Sequence, residues 1–186
     1  MRRRMVVVIT ALMSVMLVLS ACGGSNPSKA VSDQLDQIKS AEMGDELASV
    51  VDSAELSDDN KELYESFVKK LHDFDYEITD EEISSDGDKA TVSVKITTYN
   101  FGKAYLNAYE EIITGMGSGS FNADKMYEEL FSSLSDVEDK DFEETVKVAC
   151  RKNDSGDWES DVTTNNVLVD TIFGGLQSVV EDMQDL

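Results

Sequence analysis

The chain is poor in the residues that carry most protein chemistry: its 186 residues include one histidine, two cysteines, one proline and one tryptophan. A single histidine and one spare cysteine do not make up the three or four nitrogen and sulfur ligands of a zinc site. His72 ends a predicted helix in Lys69-Lys70-Leu71-His72-Asp73, where a cation complements the helix C-terminus. It is a poor candidate for the base that a nucleophile needs beside it. No Gly-x-Ser-x-Gly elbow and no dinucleotide fingerprint are present. The glycine run Gly115-Met116-Gly117-Ser118-Gly119-Ser120 follows a helix and lacks the Lys-Ser/Thr of a phosphate loop, so it reads as a connector. Basic residues are scarce, 16 against 38 acidic ones for a net charge of −22. That balance excludes nucleic acid as a partner, because phosphate contacts need clustered Lys and Arg. A long apolar span is also missing: Met5 to Leu19 is fifteen residues, about 22 Å of helix against a hydrocarbon core of about 30 Å.

The N-terminus is where the sequence is most explicit. Arg2-Arg3-Arg4 followed by the Met5–Leu19 run has the order of a secretory signal peptide. Leu19-Ser20-Ala21-Cys22 resembles the lipobox of bacterial lipoproteins at every position. The resemblance implies that residues 1–21 are removed and that Cys22 becomes the lipidated first residue, a thioether-linked diacylglycerol on its sulfur. A single acyl chain holds a protein only marginally, whereas two give stable anchoring. Residues 22–28, Cys22 through Gly23-Gly24-Ser25-Asn26-Pro27-Ser28, read as the lipidated cysteine and a flexible tether reaching about 15 Å. Without the three arginines, thirteen basic residues face 38 acidic ones and the net charge is −25. Such a body should be repelled by anionic headgroups and attract cationic partners.

Residues 29–186 read as one α+β domain with thirteen Phe and Tyr and the lone Trp158, enough for one core. Val31, Leu35 and Ile38 predict a helix capped by Ser28, running to about Ala41 with a restart between Gly44 and Val51. Ser57-Asp58-Asp59 caps a second helix with Leu63, Phe67, Val68 and Leu71. Phe74, Tyr76 and Ile78 alternate as a strand, Ser85-Asp86-Gly87-Asp88 turns, and Thr91–Tyr99 returns with Val92, Val94 and Ile96 inward. Phe101, Tyr105, Ala108 and Ile112 mark a helix of about fourteen residues, and Asn122 caps another through Met126, Leu130, Phe131 and Leu134. A second hairpin carries Val146, Val148 and Cys150, the Asn153–Gly156 turn, then Trp158, Ser160 and Val162. Thr163 or Thr164 caps one last helix with Leu168, Ile172, Leu176, Val179 and Met183 in a stripe. Gly174-Gly175 within that stripe costs about 1 kcal/mol per glycine and implies a close backbone neighbour. With Cys22 lipidated, Cys150 has no partner for an intrachain disulfide. Its place on the face of Val146 and Val148 makes it a small core residue.

Three stretches carry a resemblance: Ala90–Lys103, Asn153-Asp154-Ser155-Gly156-Asp157-Trp158 and Phe173-Gly174-Gly175-Leu176. Together with the order of elements they resemble small uncharacterised lipoproteins of Gram-positive bacteria. The domain of those proteins is similar to the cystatin-like and nuclear-transport-factor-2-like cone. The resemblance implies a curved antiparallel sheet of about four strands packed on helices, an envelope location and no assigned activity, since such folds host many functions.

Two chemical alternatives remain to be tested. Asp136–Asp141 and Asp80-Glu81-Glu82 are rich in oxygen ligands of the kind calcium takes, but neither has the glycine and closing glutamate of the EF-hand loop, so both read as solvated charge. Glu144 falls on the apolar face of its strand, and with Tyr76, Tyr105 and Tyr109 it would form the carboxylate and tyrosine set of a cone-fold enzyme. The expectation is a non-catalytic lipoprotein with no cofactor or metal, anchored through Cys22 on the extracytoplasmic face. Its domain would bind a cationic protein or peptide or build envelope structure. The alternative is an anchored carrier of a small cationic or amphipathic ligand in the cone.

Overall fold

The computed structural model describes residues 24–40, 56–117 and 122–184. The segment expected as a signal peptide (residues 1–21), Cys22, the predicted helix restart at Gly44–Val51 and the end of the glycine run lie outside them. The architecture is α+β, with six helices and one four-stranded antiparallel sheet among the described residues.

Helix α1 (Pro27–Ser40) begins with the chain's only proline at its first position, where a missing N–H costs nothing. Asn26, rather than Ser28, is its cap, with Oδ1 accepting the Lys29 N–H at 2.8 Å. Ala30, Val31, Gln34, Leu35 and Ile38 are buried on one face. Helix α2 (Asp58–Leu71) has the expected Ser57 cap, acidic residues in its first turn and lysines in its last, which suits the helix dipole. Strands β1 (Asp75–Ile83) and β2 (Lys89–Thr98) then form a hairpin. On β2, Ala90, Val92, Val94, Ile96 and Thr98 are buried while Thr91, Ser93, Lys95 and Thr97 face outward, the alternation of a sheet with one solvated face.

A bulge interrupts β1. The register skips between Ile78 and Asp80, so Thr79 has no partner and Glu81 stands opposite the inward-facing Val92. One extra residue reverses the side-chain parity after it. Glu81 is thereby turned toward α1, and its Oε2 accepts the Ser28 N–H at 2.9 Å and the Ser28 hydroxyl.

Helix α3 (Phe101–Gly117) is 17 residues long and runs through Gly115, where the connector was expected to begin. Helix α4 (Ala123–Ser135) has the expected Asn122 cap. Strand β3 (Phe142–Lys152) pairs with β2, and short β4 (Trp158–Ser160) closes the sheet in the order β1-β2-β3-β4. In place of one last helix there are two. Asn165, not Thr163 or Thr164, caps α5 (Asn166–Ile172), which ends at Phe173-Gly174-Gly175 before α6 (Leu176–Gln184).

Two apolar cores replace the single one expected. The inward face of the sheet, with Phe74, Trp158 and Val162, packs on Ala30, Val31, Leu35 and Ile38 of α1 and on Leu168 and Ile172 of α5. Because α1 and α5 already cover that face, α2, α3, α4 and α6 bury their stripes against one another, around Tyr64, Phe67, Phe101, Phe131 and Leu134. The break at Gly174-Gly175 steers the C-terminal stripe from one core into the other: Leu168 and Ile172 belong to the sheet core, Leu176 and Val180 to the helical one.

Candidate membrane-attachment site

Cys22, the expected lipidation site, lies just outside the described residues, the first of which, Gly24, is already paired. Gly24 pairs with Trp158 as an isolated antiparallel bridge, its N–H donating to the Trp158 carbonyl at 2.9 Å and its carbonyl accepting the Trp158 N–H at 3.2 Å. Glycine is required there, because a Cβ would lie 2.5 Å from the Ala30 backbone nitrogen. From Pro27 the chain is helical, and Pro27 itself is buried. Residues 24–28, expected as a flexible tether, are therefore part of the folded domain.

The surroundings hold this junction from several sides. Trp158 is buried at 6% exposure beneath the Lys152 ammonium, which lies 5.2 Å from the ring centroid. The Lys152 N–H donates to the Asp88 carbonyl at 2.9 Å, tying the β3–β4 turn to the β1–β2 turn. In the β3–β4 turn, Asn153 Oδ1 accepts the N–H groups of Ser155 and Asp157, each at 3.0 Å, and Gly156 supplies the positive φ. Cys150 sits beneath the start of α1 with Sγ 3.9 Å from the Pro27 carbonyl. Burial pushes its thiol up to about 12, with Asp161 and Glu81 adding to the shift, so it is a packed, un-ionised sulfur. A shallow depression of about 380 Å³ opens at this end of the sheet, lined by Glu82, Ile83, Lys89, Ala90, Ala149 and Cys150 among others.

The remaining candidates are scattered. His72 is the C-cap of α2 as predicted, but burial lowers its pKa against an opposing hydrogen bond to the Ile38 backbone. A ring kept neutral does not supply the expected cation. The enzyme-like constellation is not assembled. Glu144 is exposed and accepts from Thr171 Oγ1 at 3.2 Å, while Tyr76 donates to Asp36 Oδ1 at 2.7 Å beside α1. Tyr105 and Tyr109 stack, with ring centroids 6.5 Å apart, on the helical core. The reason is the route of α3, which leaves the sheet at Phe101 and carries its tyrosines into the other core. Parts of the acidic runs are engaged as structure: Asp136 caps α4, Asp80 accepts the Glu81 N–H, and Glu81 accepts the N–H and hydroxyl of Ser28 in the first turn of α1. No group of three or more His, Cys, Asp or Glu able to hold a metal ion exists among the described residues. No helix of the described residues is long and apolar enough to cross a membrane.

One polar cluster escaped sequence reasoning. Lys140 Nζ donates to Asp73 Oδ1 at 2.8 Å and to Asp75 Oδ2 at 2.9 Å, and the Tyr99 hydroxyl donates to Asp73 Oδ2 at 2.7 Å. Lys140 and Tyr99 together hold the Asp73 carboxyl below the usual carboxylate range. Lys70 lies 4.9 Å from the Tyr99 ring centroid and donates to the Val137 carbonyl. The cluster ties the start of β1 and the end of β2 to the loop entering β3, at the end of the sheet remote from Gly24. The one hint in the sequence was a lysine in the acidic run Asp136–Asp141. Compared with protein families, curated proteins and solved structures, the chain matches none.

Proposed function

We propose that the chain is an extracytoplasmic lipoprotein, anchored to the membrane through lipid on Cys22, whose α+β domain is a non-catalytic binding or structural module. The observation that carries this reading is the docking of Gly24 on Trp158 directly after the lipobox-like Leu19–Cys22. A mature chain starting at Cys22 would retain every described residue of both cores. The non-catalytic half of the reading is supported by the dispersal of the reactive groups. His72 caps a helix, Cys150 is packed under Pro27, and Glu144 and the tyrosines occupy separate surroundings. The carrier alternative finds less support, since α1 and α5 occupy the face of the sheet that a ligand cavity would need. At a net charge of −25 for residues 22–186, the partner that this surface favours is a cationic protein or peptide.

The test is metabolic labelling with radioactive palmitate in a bacterial host. Wild-type protein should incorporate label and partition with membranes. Cys22→Ser should lose the label and either accumulate as an uncleaved precursor or be released. Unchanged labelling of Cys22→Ser would refute the anchor.

A further inference from the structure

If Cys22 bears the lipid, as proposed above, the geometry at Gly24 determines which end of the fold faces the bilayer. Cys22 is two residues before Gly24, and two residues of extended chain reach about 7 Å. Gly24 cannot drift, being hydrogen-bonded twice to Trp158 and packed against the α1 backbone. The anchor therefore leaves the domain at one point, beside the start of α1 and the two joined hairpin turns. From that end β2 runs ten residues, Lys89 to Thr98, or about 30 Å, before the Tyr99 cluster and the helical core begin.

We infer that the hairpin end, residues 84–89 and 151–157 with Ile83, is a membrane-apposed surface fitted to phospholipid headgroups. Its charge differs from that of the rest of the domain. Lys89, Arg151 and Lys152 there nearly balance Asp86, Asp88, Asp154 and Asp157, leaving −1, or −2 with Glu82 of the adjoining depression, of the −25 carried by residues 22–186. It is thus a part of the surface that an anionic leaflet repels little, whereas exposed charges elsewhere on the domain are repelled within a Debye length of about 8 Å. Lys89 forms no ion pair among the described residues, and Ile83 is 53% exposed beside it at the rim of the 380 Å³ depression. Ammonium and apolar groups side by side suit the boundary between headgroup phosphate and acyl chain. The whole-body repulsion expected from composition is replaced by an orientation in which this end meets the lipid and the helical core faces outward.

The experiment uses full-length lipidated protein in vesicles containing phosphatidylglycerol and headgroup-spin-labelled lipid. A fluorophore is placed at Asp154→Cys, in the β3–β4 turn, or at Glu143→Cys, at the far end of β3; both positions are exposed, and the buried Cys150 stays unlabelled in the native state. Quenching should be several-fold stronger at 154 than at 143. A ten-residue Gly-Ser insertion between Gly23 and Gly24, adding about 17 Å of mean reach, should abolish most of that difference. Vesicle-bound protein with equal quenching at the two sites, or stronger quenching at 143, would overturn the orientation while leaving the anchor intact. A difference undiminished by the insertion would overturn the role assigned to Gly24. Protein that does not float with the vesicles would overturn the anchor itself, and this inference with it.

Discussion

A Cβ atom on Gly174 would stand 1.9 Å from the carbonyl oxygen of Tyr99. The two backbones cross there, with the Gly102 N–H donating to the Gly174 carbonyl at 3.0 Å and Gly174 at φ +57°. The crossing turns the chain from α5, which packs Leu168 and Ile172 on the sheet core and Val169 and, at its C-cap, Phe173 on the helical core, into α6, whose buried residues Leu176 and Val180 belong to the helical core. Gly174→Ala should therefore be among the most damaging single substitutions, combining a left-handed backbone cost of about 1–2 kcal/mol with a clash against main chain that cannot move aside. Gly87 is the control, with φ +74° and nothing within 4 Å of an added Cβ. Gly87→Ala should lose only the left-handed cost. Urea denaturation of the fragment from Gly23 onward would show the contrast, and equal losses would disprove the crossing.

Trp158 closes the sheet core over the N-terminal junction. Trp158→Ala should cost about 3–5 kcal/mol, a large share of the roughly 5–15 kcal/mol that holds a domain of this kind together. Because Trp158 is the only tryptophan, native emission reports its site directly and should be blue-shifted. Emission at the wavelength of a water-exposed indole would place the residue outside the core.

Cys150 should be silent in the native state. Burial pushes its thiol up to about 12, so the un-ionised form dominates at pH 8. In the fragment from Gly23 onward, a thiol reagent should count no fast-reacting group before denaturation and one after it. Rapid reaction of folded protein would contradict the packing beneath Pro27.

His72 should make stability fall on mild acidification. Its folded pKa is depressed, chiefly by burial, so the unfolded chain takes up the proton first. The stability associated with the neutral ring is fully present above the unfolded value of about 6.5 and declines as pH drops below it toward the folded value. Asp73, also depressed, acts in a separate window: its contribution is present above about 3.9 and lost below that as pH falls through its folded value. The stability difference between wild type and His72→Gln should therefore change between about pH 7 and 5. Parallel pH profiles for the two proteins would rule this out.

The features legible in the sequence are those set by neighbours along the chain. The Ser57 and Asn122 caps follow from a side chain and an N–H three residues on. The burial of Val92, Val94 and Ile96 follows from the period of two, and the hairpin turns from Asp86-Gly87 and Asn153–Gly156. The expected anchor at Cys22 is of the same kind, a contiguous motif that needs no fold to be read. Tertiary structure decided whatever depends on residues far apart. Leu168, Ile172, Leu176 and Val180 have the spacing of one helix face, but the crossing at Tyr99 leaves room only for glycine and splits the stripe between two cores. Glu81 reads as one acid in an exposed run, and the Thr79 bulge turns it onto α1. Gly24 has the composition of a linker, yet it is held by the Trp158 backbone and by α1 packed too close for any side chain. Local chemistry sets the elements; the order in which they cover one another's apolar faces decides where each one ends.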